Sequence, residues 1–277
     1  MLRRPWRTPG RRYAWRTVLA LPTGVLATVV GAFVLLVLPR RWRRRRAVTD
    51  KVLRTWARIC LFVTGTKVRV EGFERLDRSV AYVVVSNHPS NLDPMVHLAV
   101  FGSSLRVLAK RELFTVPLLG HALRAAGMVE VDRGNADRET INEEVARALA
   151  DGVSLLIFPE GTCSPESGMR PFKPGAFVIA VDNGAPVVPV AVEGTGRAWP
   201  AGGARIFGGT VRILAGEPLP TEGLGRQDVS GLGDRVRERI SLLLRAAADP
   251  DPDGRIPGWQ GQIRRVWPLR AMQTSHS

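Results

Sequence analysis

The segment Tyr82–Pro94, with the sequence YVVVSNHPSNLDP, joins an apolar run to a polar loop. The run Tyr82–Val85 is typical of a strand that is buried on both faces of a sheet. His88 and Asp93 follow it, and each stands directly before a proline, which disfavours α geometry at both residues and predicts a bend between them. Asp93 before proline also predicts a helix over residues 95–101 with Asp93 as its N-cap.

Further β-like runs and helices predict an α/β domain over residues 66–248. The runs are Lys67–Val70, Leu105–Leu108, Met128–Val131, Val153–Phe158, Val187–Val192 and Val211–Leu214. Residues 136–150 and 234–247 carry apolar side chains at helical spacing, and helices that alternate with strands predict a largely parallel mixed sheet flanked by helices. We expect an amphipathic helix over residues 47–65 before this domain, and a basic, irregular tail over residues 249–277 after it.

The net charge of +15 comes from the two ends of the chain. Residues 1–46 contain twelve arginines and no acidic residue, and residues 255–277 contain four arginines and no acidic residue. Because these sixteen arginines exceed the net charge by one, residues 47–254 carry a net charge of −1. A body without net positive charge argues against nucleic-acid binding, whereas terminal arginines suit anionic lipid head groups.

Residues 17–39 contain no charged side chain. This length suffices to cross a bilayer core of about 30 Å as a helix. A cleaved signal peptide is the alternative, but the run ends in Pro39 followed by arginines rather than in small residues. We therefore expect residues 1–46 to form a basic arm with an N-terminal membrane-associated helix. Pro22 and Gly24 leave a half-inserted helix as a second alternative.

The loop after Tyr82–Val85 has two interpretations. A carboxylate bonded to one ring nitrogen of a histidine fixes its tautomer and raises the basicity of the other nitrogen. Asp93 could fold back onto His88 in this way and make it a general base; the alternative is a hydrogen-bonded loop histidine. Cys60 and Cys163 give neither a disulfide framework nor the spacing of a metal site.

Polar residues follow other predicted strands too. In FPEGTCS, residues 158–164, Glu160 is placed to hydrogen-bond hydroxyl groups and Gly161 allows close backbone approach. Lys173 precedes a predicted helix, a favourable place for an anion, and Arg133 follows a short strand, where it could bind a phosphate. The alternative for residues 158–164 is a strand that simply ends in a turn, and the alternative for Arg133 is a surface salt bridge.

Together and in this order, these motifs resemble the lysophosphatidate acyltransferase family, the 1-acylglycerol-3-phosphate O-acyltransferases and their glycerolipid relatives. The segment Asn87–Asp93 resembles the family's NHxxxxD motif. The other three family motifs resemble Gly127–Arg133, Phe158–Thr162 and Val188–Val192. The resemblance covers roughly residues 65–215.

The resemblance implies transfer of a fatty acyl group from acyl-CoA or acyl carrier protein to the free hydroxyl of 1-acyl-glycerol-3-phosphate. The product would be phosphatidic acid, in phospholipid biosynthesis. His88 would take the proton from the acceptor hydroxyl, and Asp93 would hold His88. With Lys173 added for its position before a helix, the expected substrate-binding residues are Arg133, Glu160, Gly161, Thr162, Lys110 and Lys173.

One position departs from the family pattern. The third motif often reads FPEGTRS, with an arginine that helps to bind the acceptor's phosphate, and here Cys163 takes its place. We interpret Cys163 as a small pocket residue. The departure leaves other acceptors as alternatives, namely glycerol 3-phosphate, another lysophospholipid, an amino acid or a glycolipid. A catalytically inactive membrane-binding protein is a further alternative, against which the presence of both His88 and Asp93 argues.

The expected partners follow from this chemistry. We expect no metal and no cofactor, because a thioester donor is already activated. The partners are the lipid bilayer, a lysophospholipid acceptor, and acyl-CoA or acyl carrier protein as donor, without nucleic acid. We expect the protein in a membrane, with its active site at the cytoplasmic face of the plasma membrane.

Overall fold

A mixed eight-stranded sheet lies at the centre of the fold. The computed structural model describes residues 14–37, 39, 46–102, 104–131, 138–164, 168–248 and 264–266. The strands are β1 (Thr66–Glu71), β2 (Val83–Ser86), β3 (Leu105–Lys110), β4 (Val129–Val131), β5 (Ser154–Ile157), β6 (Val187–Glu193), β7 (Gly209–Ala215) and β8 (Arg264–Val266). Their order across the sheet is β4-β3-β5-β2-β6-β7-β1-β8.

The strand directions confirm the predicted, largely parallel mixed sheet. Neighbours from β4 through β3, β5 and β2 to β6 are parallel. Strand β7 is antiparallel to β6 and parallel to β1. Because β2, β3, β4 and β5 point the same way, their carboxyl ends lie at one edge of the sheet, where α/β folds place their sites.

Helices precede the sheet and connect its strands. They are α1 (Ala14–Val37), α2 (Arg46–Val63), α3 (Asp93–Val100), α4 (Arg111–Thr115), α5 (Leu119–Ala125), α6 (Arg138–Ala150), α7 (Gly175–Asp182), α8 (Thr195–Ala198) and α9 (Val229–Ala248). Alternate residues of the central strands enter opposite layers. Val84 packs in the layer that contains α2 and α3, whereas Val83 and Val85 pack in the layer that contains α7 and α9. Burial on both faces explains the unbroken apolar run of β2.

Helix α1 is long and apolar enough over Thr17–Val37 to cross a membrane. Only 17% of this span is buried against the rest of the protein, so most of its apolar side chains face outward. Helix α2 holds α1 in place, since the Trp56 indole Nε1 donates a hydrogen bond of 3.0 Å to Thr28 Oγ1. Pro22 lies inside α1, which continues through it as one helix.

The predicted irregular tail needs one correction. Arg264–Val266 form β8, which pairs antiparallel with Val68–Val70 of β1. The free edge of β1 presents unpaired backbone N–H and C=O groups, and a returning segment satisfies them by adding a strand.

Candidate active site

The loop after β2 brings His88 and Asp93 together. His88 Nδ1 lies 2.7 Å from Asp93 Oδ2, and the Ser90 N–H donates to the same oxygen at 2.8 Å. The Asp93 side chain is fully buried, whereas 16% of the His88 side chain is exposed. Because an ionised carboxylate only accepts hydrogen bonds, the neutral form of the ring carries its proton on Nδ1 and its lone pair on Nε2. The ring is therefore oriented as a general base requires.

Asp93 does not cap the helix that follows. The prediction of an extended Asp93 at the N-cap is wrong: Leu92 is the N-cap, and Asp93 is the first residue of α3 with Pro94 after it. The carboxylate turns back toward His88 and the Ser90 amide, and so away from the amides of the helix. Orienting His88 replaces the predicted capping role.

Burial and hydrogen bonding shift the pKa of both residues. Complete burial raises the pKa of Asp93, against the opposing effects of His88, Thr195 and the Ser90 amide. Burial lowers the pKa of His88, but hydrogen bonds with Asp93 and Cys163, together with the negative charge of the Asp93 carboxylate, outweigh it and raise that pKa to about 9. The pair therefore holds a proton strongly at the ring.

Glu160 joins this loop to the one after β5. The buried carboxylate accepts a 2.9 Å hydrogen bond from the His88 N–H through Oε1. Its other oxygen, Oε2, accepts from the Ser164 hydroxyl and, at 2.6 Å, from the Arg170 N–H. Glu160 thus fixes the backbone that carries the histidine. Its contact with an acceptor stays a prediction.

Two further side chains anchor the His88 loop to the β6 region. The Asn87 amide pairs with Val192 of β6 in both directions, donating to its C=O and accepting from its N–H, each at 2.8 Å. The Ser90 hydroxyl donates to the Trp199 carbonyl at 2.6 Å. The loop is held at both ends, so the position of His88 is determined by strands β5 and β6 as well as by β2.

Sequence reasoning missed the role of Thr195 at the start of α8. Its hydroxyl is buried close to the Asp93 carboxylate, and neither Thr195 Oγ1 nor Asp93 Oδ1 makes a regular hydrogen bond to another described residue. The hydroxyl favours the charged form of Asp93. The available signal was the position of Thr195 directly after β6, at the edge of the sheet that carries His88.

The sequence also gave no indication that Cys163 lies next to the His88 ring. Its Sγ lies 3.4 Å from His88 Nε2, the nitrogen that faces away from Asp93. Gly161 makes this approach possible, because its φ of +76° is a left-handed conformation that favours glycine. Phe158 stacks on the His88 ring from the same loop, with ring centroids 4.1 Å apart.

The other predicted binding residues lie around this edge. Lys110 is exposed at the end of β3, and Thr162 is exposed beside Cys163. Lys173 is exposed before α7, and its N–H donates to the Pro159 carbonyl at 2.9 Å. Arg133 lies outside the described residues. Binding of substrate by these residues stays a prediction.

An apolar cavity of about 400 Å³ lies between α1, α2 and the segment before α5. Its walls include Leu21, Val25 and Cys60. They also include Leu92 and Met95, which stand on either side of Asp93 in the chain. The cavity therefore reaches from the apolar helix α1 to the residues that flank the His88–Asp93 pair.

Comparison with known proteins gives one consistent result. A family model described as Acyltransferase matches residues 67–193, which include the His88 loop and the Glu160 loop. The human 1-acyl-sn-glycerol-3-phosphate acyltransferase alpha is 34% identical over 218 residues, which cover 78% of this chain and 76% of the relative. The chain belongs to the 1-acyl-sn-glycerol-3-phosphate acyltransferase family. The resemblance inferred from the motifs is thereby confirmed.

A bacterial relative and a crystal structure agree with this assignment. The 1-acyl-sn-glycerol-3-phosphate acyltransferase of Pseudomonas aeruginosa is 30% identical and covers 76% of this chain and 82% of its own length. The crystal structure of the 1-acyl-sn-glycerophosphate acyltransferase PlsC from Thermotoga maritima superposes with a TM-score of 0.72 at 28% identity, over 85% of this chain and 97% of that one. This member of the family is accordingly an acyltransferase, and its fold is the one seen in that enzyme.

Proposed function

We propose that this acyltransferase moves a fatty acyl group from a thioester donor to the free hydroxyl of 1-acyl-glycerol-3-phosphate, with His88 as general base. The observation that carries the proposal is the orientation of His88. Asp93 holds Nδ1 at 2.7 Å and leaves Nε2, on the opposite side of the ring, to exchange a proton. As the hydroxyl oxygen attacks the thioester carbonyl, Nε2 takes its proton, which then goes to the departing thiolate.

The apolar cavity supports a substrate with a long hydrocarbon chain. Its volume of about 400 Å³ and its apolar walls suit an acyl chain. Leu92 and Met95 place one end of the cavity next to the residues that would do the chemistry. The bulk of the acyl chain would thus leave water while the reacting carbonyl stays at His88.

Basic side chains at the same edge of the sheet support an acceptor with a phosphate. Lys110 is the last residue of β3, and the Lys173 N–H donates a hydrogen bond to the Pro159 carbonyl in the loop after β5. With Arg133 they would supply the positive charge that a phosphomonoester requires. Because Cys163 stands where relatives with the FPEGTRS motif carry an arginine, a lysophospholipid with a larger head group is the second candidate acceptor.

Helix α1 supports delivery of the acceptor from a membrane. Its apolar side chains face outward along most of Thr17–Val37, and its other side forms a wall of the cavity. A lysolipid could therefore pass from the bilayer to the cavity without crossing water. We place the reaction at the cytoplasmic face of the plasma membrane, with acyl-CoA or acyl carrier protein as donor and with neither metal nor cofactor.

The test uses the purified full-length protein in detergent micelles. Labelled acyl-CoA and acyl carrier protein are offered as donors, each with lysophosphatidate, glycerol 3-phosphate and lysophosphatidylcholine as acceptors. We expect the highest kcat/KM with lysophosphatidate. We also expect His88→Ala to lower kcat about 10²–10⁴-fold, the usual contribution of a general base.

A second histidine provides the matched control. His121 is exposed on α5, and His121→Ala removes an imidazole without touching the loop. It should transfer acyl groups at the wild-type rate. Transfer that persists in His88→Ala would contradict the assigned base, and a preference for another acceptor would replace lysophosphatidate while leaving the reaction type in place.

A further inference from the structure

The hairpin of α4 and α5 (residues 111–125) presents apolar side chains to the outside. Leu113, Val116 and Leu118 are exposed by 43%, 44% and 36%. Among the described residues, every other exposed large apolar side chain except Leu242 lies on α1 or α2. Because α1 packs against both α2 and α5, these side chains belong to neighbouring elements. Such a concentration of exposed apolar groups marks an interaction surface.

The turn at the tip of the hairpin holds Leu118 in a strained conformation. Its φ of +63° is the only positive φ of a non-glycine residue in the described part of the chain. The Leu119 N–H donates to the Pro117 carbonyl at 2.7 Å, which closes a three-residue turn of the rare, strained type. Glycine would relieve this strain, so a leucine at this exposed position indicates a function for its apolar side chain.

The hairpin and α1 meet at the apolar cavity. Residues 116–119 form one part of its wall, and Leu21 and Val25 of α1 form another part. Both parts include exposed side chains, so the cavity opens to the outside between α1 and the hairpin. The outward apolar surface of α1 therefore continues across this opening onto the hairpin.

Helix α1 is attached to the body of the protein along its length. Near its start, Thr17 Oγ1 accepts a hydrogen bond of 3.0 Å from the Ile206 N–H. In its middle, Thr28 accepts from Trp56, and near its end Leu35 is buried in the layer that contains α2 and α3. A bilayer that receives the outward side of α1 is therefore brought against the adjoining surface of the body, which includes the hairpin.

The charges around the hairpin suit a lipid surface. Residues 110–130 contain three basic side chains, all exposed, and two acidic ones. The basic side chains are Lys110, Arg111 and Arg124, and the two arginines pair with Glu130 at 3.7 and 3.1 Å. Basic groups beside an apolar tip match anionic lipid head groups above a layer of acyl chains.

We propose that the α4–α5 hairpin is a second membrane contact, which inserts Leu113, Val116 and Leu118 into the bilayer surface that receives α1. The bilayer then meets both sides of the cavity opening, so an acyl chain enters the cavity between α1 and the turn at Leu118. The inference rests on the proposed function only for the identity of the lipid acceptor, and its first test requires no acyl transfer.

Site-specific fluorescence tests the contact itself. In full-length protein with Cys60→Ala and Cys163→Ser, the fluorophore NBD is attached through Leu113→Cys, and the protein is reconstituted into nanodiscs of phosphatidylethanolamine and phosphatidylglycerol. Leu113 is exposed and lies outside the cavity wall, so the label reports on the bilayer rather than on a lipid in the cavity. We expect strong quenching by a lipid with a nitroxide on its acyl chain near the glycerol, and weak quenching by aqueous iodide.

Leu242 provides the matched control. It is exposed by 48% on α9, which packs in the layer on the opposite side of the sheet. A label attached through Leu242→Cys should show the reverse pattern, with strong quenching by iodide and weak quenching by the nitroxide lipid. Equal access of iodide to both positions, without quenching of the label at position 113 by the nitroxide lipid, would overturn the membrane contact. Shielding of position 113 only after addition of acyl carrier protein would assign the surface to that protein and overturn the membrane contact as well.

A charge at the same position tests what the contact does for acyl transfer. Leu113→Asp places a carboxylate where an apolar side chain would enter lipid, so kcat/KM for lysophosphatidate embedded in nanodiscs should fall about tenfold. With a short-chain, water-soluble lysophosphatidate, kcat/KM should stay at the wild-type value, because neither the His88 loop nor the cavity wall is altered. Leu242→Asp should change neither value.

The outcomes separate this inference from the proposed function. Lipid quenching at position 113 without transfer to lysophosphatidate would support the contact and overturn lysophosphatidate as the acceptor. Transfer to lysophosphatidate by protein whose position 113 is open to iodide would overturn the contact and leave the proposed function intact. An equal loss with embedded and water-soluble acceptors in Leu113→Asp would overturn lipid entry beside the hairpin.

Discussion

The loop that carries His88 and the helix that carries His97 bond different oxygens of Asp93. His88 Nδ1 lies 2.7 Å from the carboxylate oxygen Oδ2, and His97 Nδ1 lies 2.7 Å from the backbone carbonyl oxygen. Phe158 contacts both rings, stacked on His88 and edge-on to His97 with centroids 5.7 Å apart. The two imidazoles share Phe158 as a neighbour and have hydrogen bonds of equal length. They differ in how deeply they are buried and in the charge of the oxygen that they hydrogen-bond.

This difference gives the two histidines opposite pKa shifts. Complete burial lowers the pKa of His97 to about 4, and the hydrogen bond with the neutral carbonyl offsets only part of this effect. Burial also lowers the pKa of His88, but the hydrogen bonds with Asp93 and Cys163 and the negative charge of the Asp93 carboxylate reverse this effect and raise the pKa to about 9. A largely buried imidazole thus becomes a strong base where a carboxylate holds it, and stays neutral where a carbonyl does.

Replacing the Asp93 carboxylate should have the largest effect on the difference between His88 and His97. In Asp93→Asn, the amide can donate to Nδ1, which moves the ring proton to Nε2 and removes the base. We expect kcat for acyl transfer to fall about 10³–10⁴-fold, by analogy with the same change in a serine protease triad. Steady-state assays with labelled acyl-CoA measure the loss. A decrease of less than tenfold would show that Asp93 does not orient the catalytic ring.

The pH dependence of the wild-type enzyme tests the same pair. His88 must lose a proton before it can accept one, so kcat/KM should rise with pH through an apparent pKa near 9. Between pH 6.5 and 9 the gain should be about 10²-fold, since the neutral fraction grows tenfold per pH unit below the pKa. In Asp93→Asn the remaining activity should show a lower midpoint. A wild-type midpoint at or below 6.5 would contradict the ion pair.

A substitution of Glu160 tests how the position of the His88 loop affects activity, separately from the charge of the His88 ring. Its two oxygens accept from three donors, so the NH₂ group of Glu160→Gln would face at least one donor. We expect a loss of about 1–3 kcal/mol in the free energy of unfolding and about 10- to 10²-fold in kcat from a displaced His88. Urea denaturation and transfer assays measure the two effects.

Ser164→Ala is the matched control for this change. It removes one hydrogen bond to Glu160 Oε2 but keeps the bond from the His88 N–H to Oε1. Its kcat should stay within about threefold of the wild type. An equal loss of activity in both variants would mean that Glu160 does not act through His88.

His97 should report on stability rather than on catalysis. Its pKa of about 4 in the folded protein lies below the ordinary 6.5, so the unfolded chain binds a proton more readily. The stabilisation from its neutral form is present above pH 6.5 and is lost as the pH falls toward 4, by up to about 3 kcal/mol. In His97→Gln this pH-dependent part should vanish from the difference in unfolding free energy between pH 7 and pH 4.5. An unchanged difference would argue against a neutral His97.

Thr195 should give the smallest change. Thr195→Val keeps the shape but removes the hydroxyl beside Asp93, so the charged form of the carboxylate loses support. We expect kcat to fall less than about tenfold, with the pH midpoint of transfer displaced, and we expect Thr195→Ser to restore both. A fall in kcat without a displaced midpoint would indicate a structural role alone.

Several parts of this fold were predictable because their signal is local. The unbroken apolar runs of β2 and β5 reflect burial on both faces, and alternate residues of each strand indeed enter opposite layers. The short helices α4 and α5 gave no such signal. Helices of five and seven residues are too short to be stable alone and depend on the surfaces that they pack against. Strand β8 likewise exists through its pairing with β1.

The candidate active site likewise has a part that the local sequence predicted and a part that it did not. The spacing of His88 and Asp93 on a proline-bent loop indicated that they could meet, because five residues suffice for a side chain to fold back. The partners of Glu160 could not be predicted, since they come from the His88 loop and from a segment ten residues onward. Thr195 lies more than one hundred residues from Asp93, and only the pairing of β6 with β2 brings them together.

The sequence by itself determined the buried strands, the apolar helix α1 and the chemical groups available at the carboxyl edge of the sheet. Periodicity and composition are local properties of the chain, so they can be recognised without a structure. The tertiary structure alone decided which oxygen of Asp93 each histidine meets, and that Cys163, 75 residues from His88, lies beside Nε2. A hydrogen bond acts over about 3 Å, and only the packing of strands distant in the chain can place two groups that close.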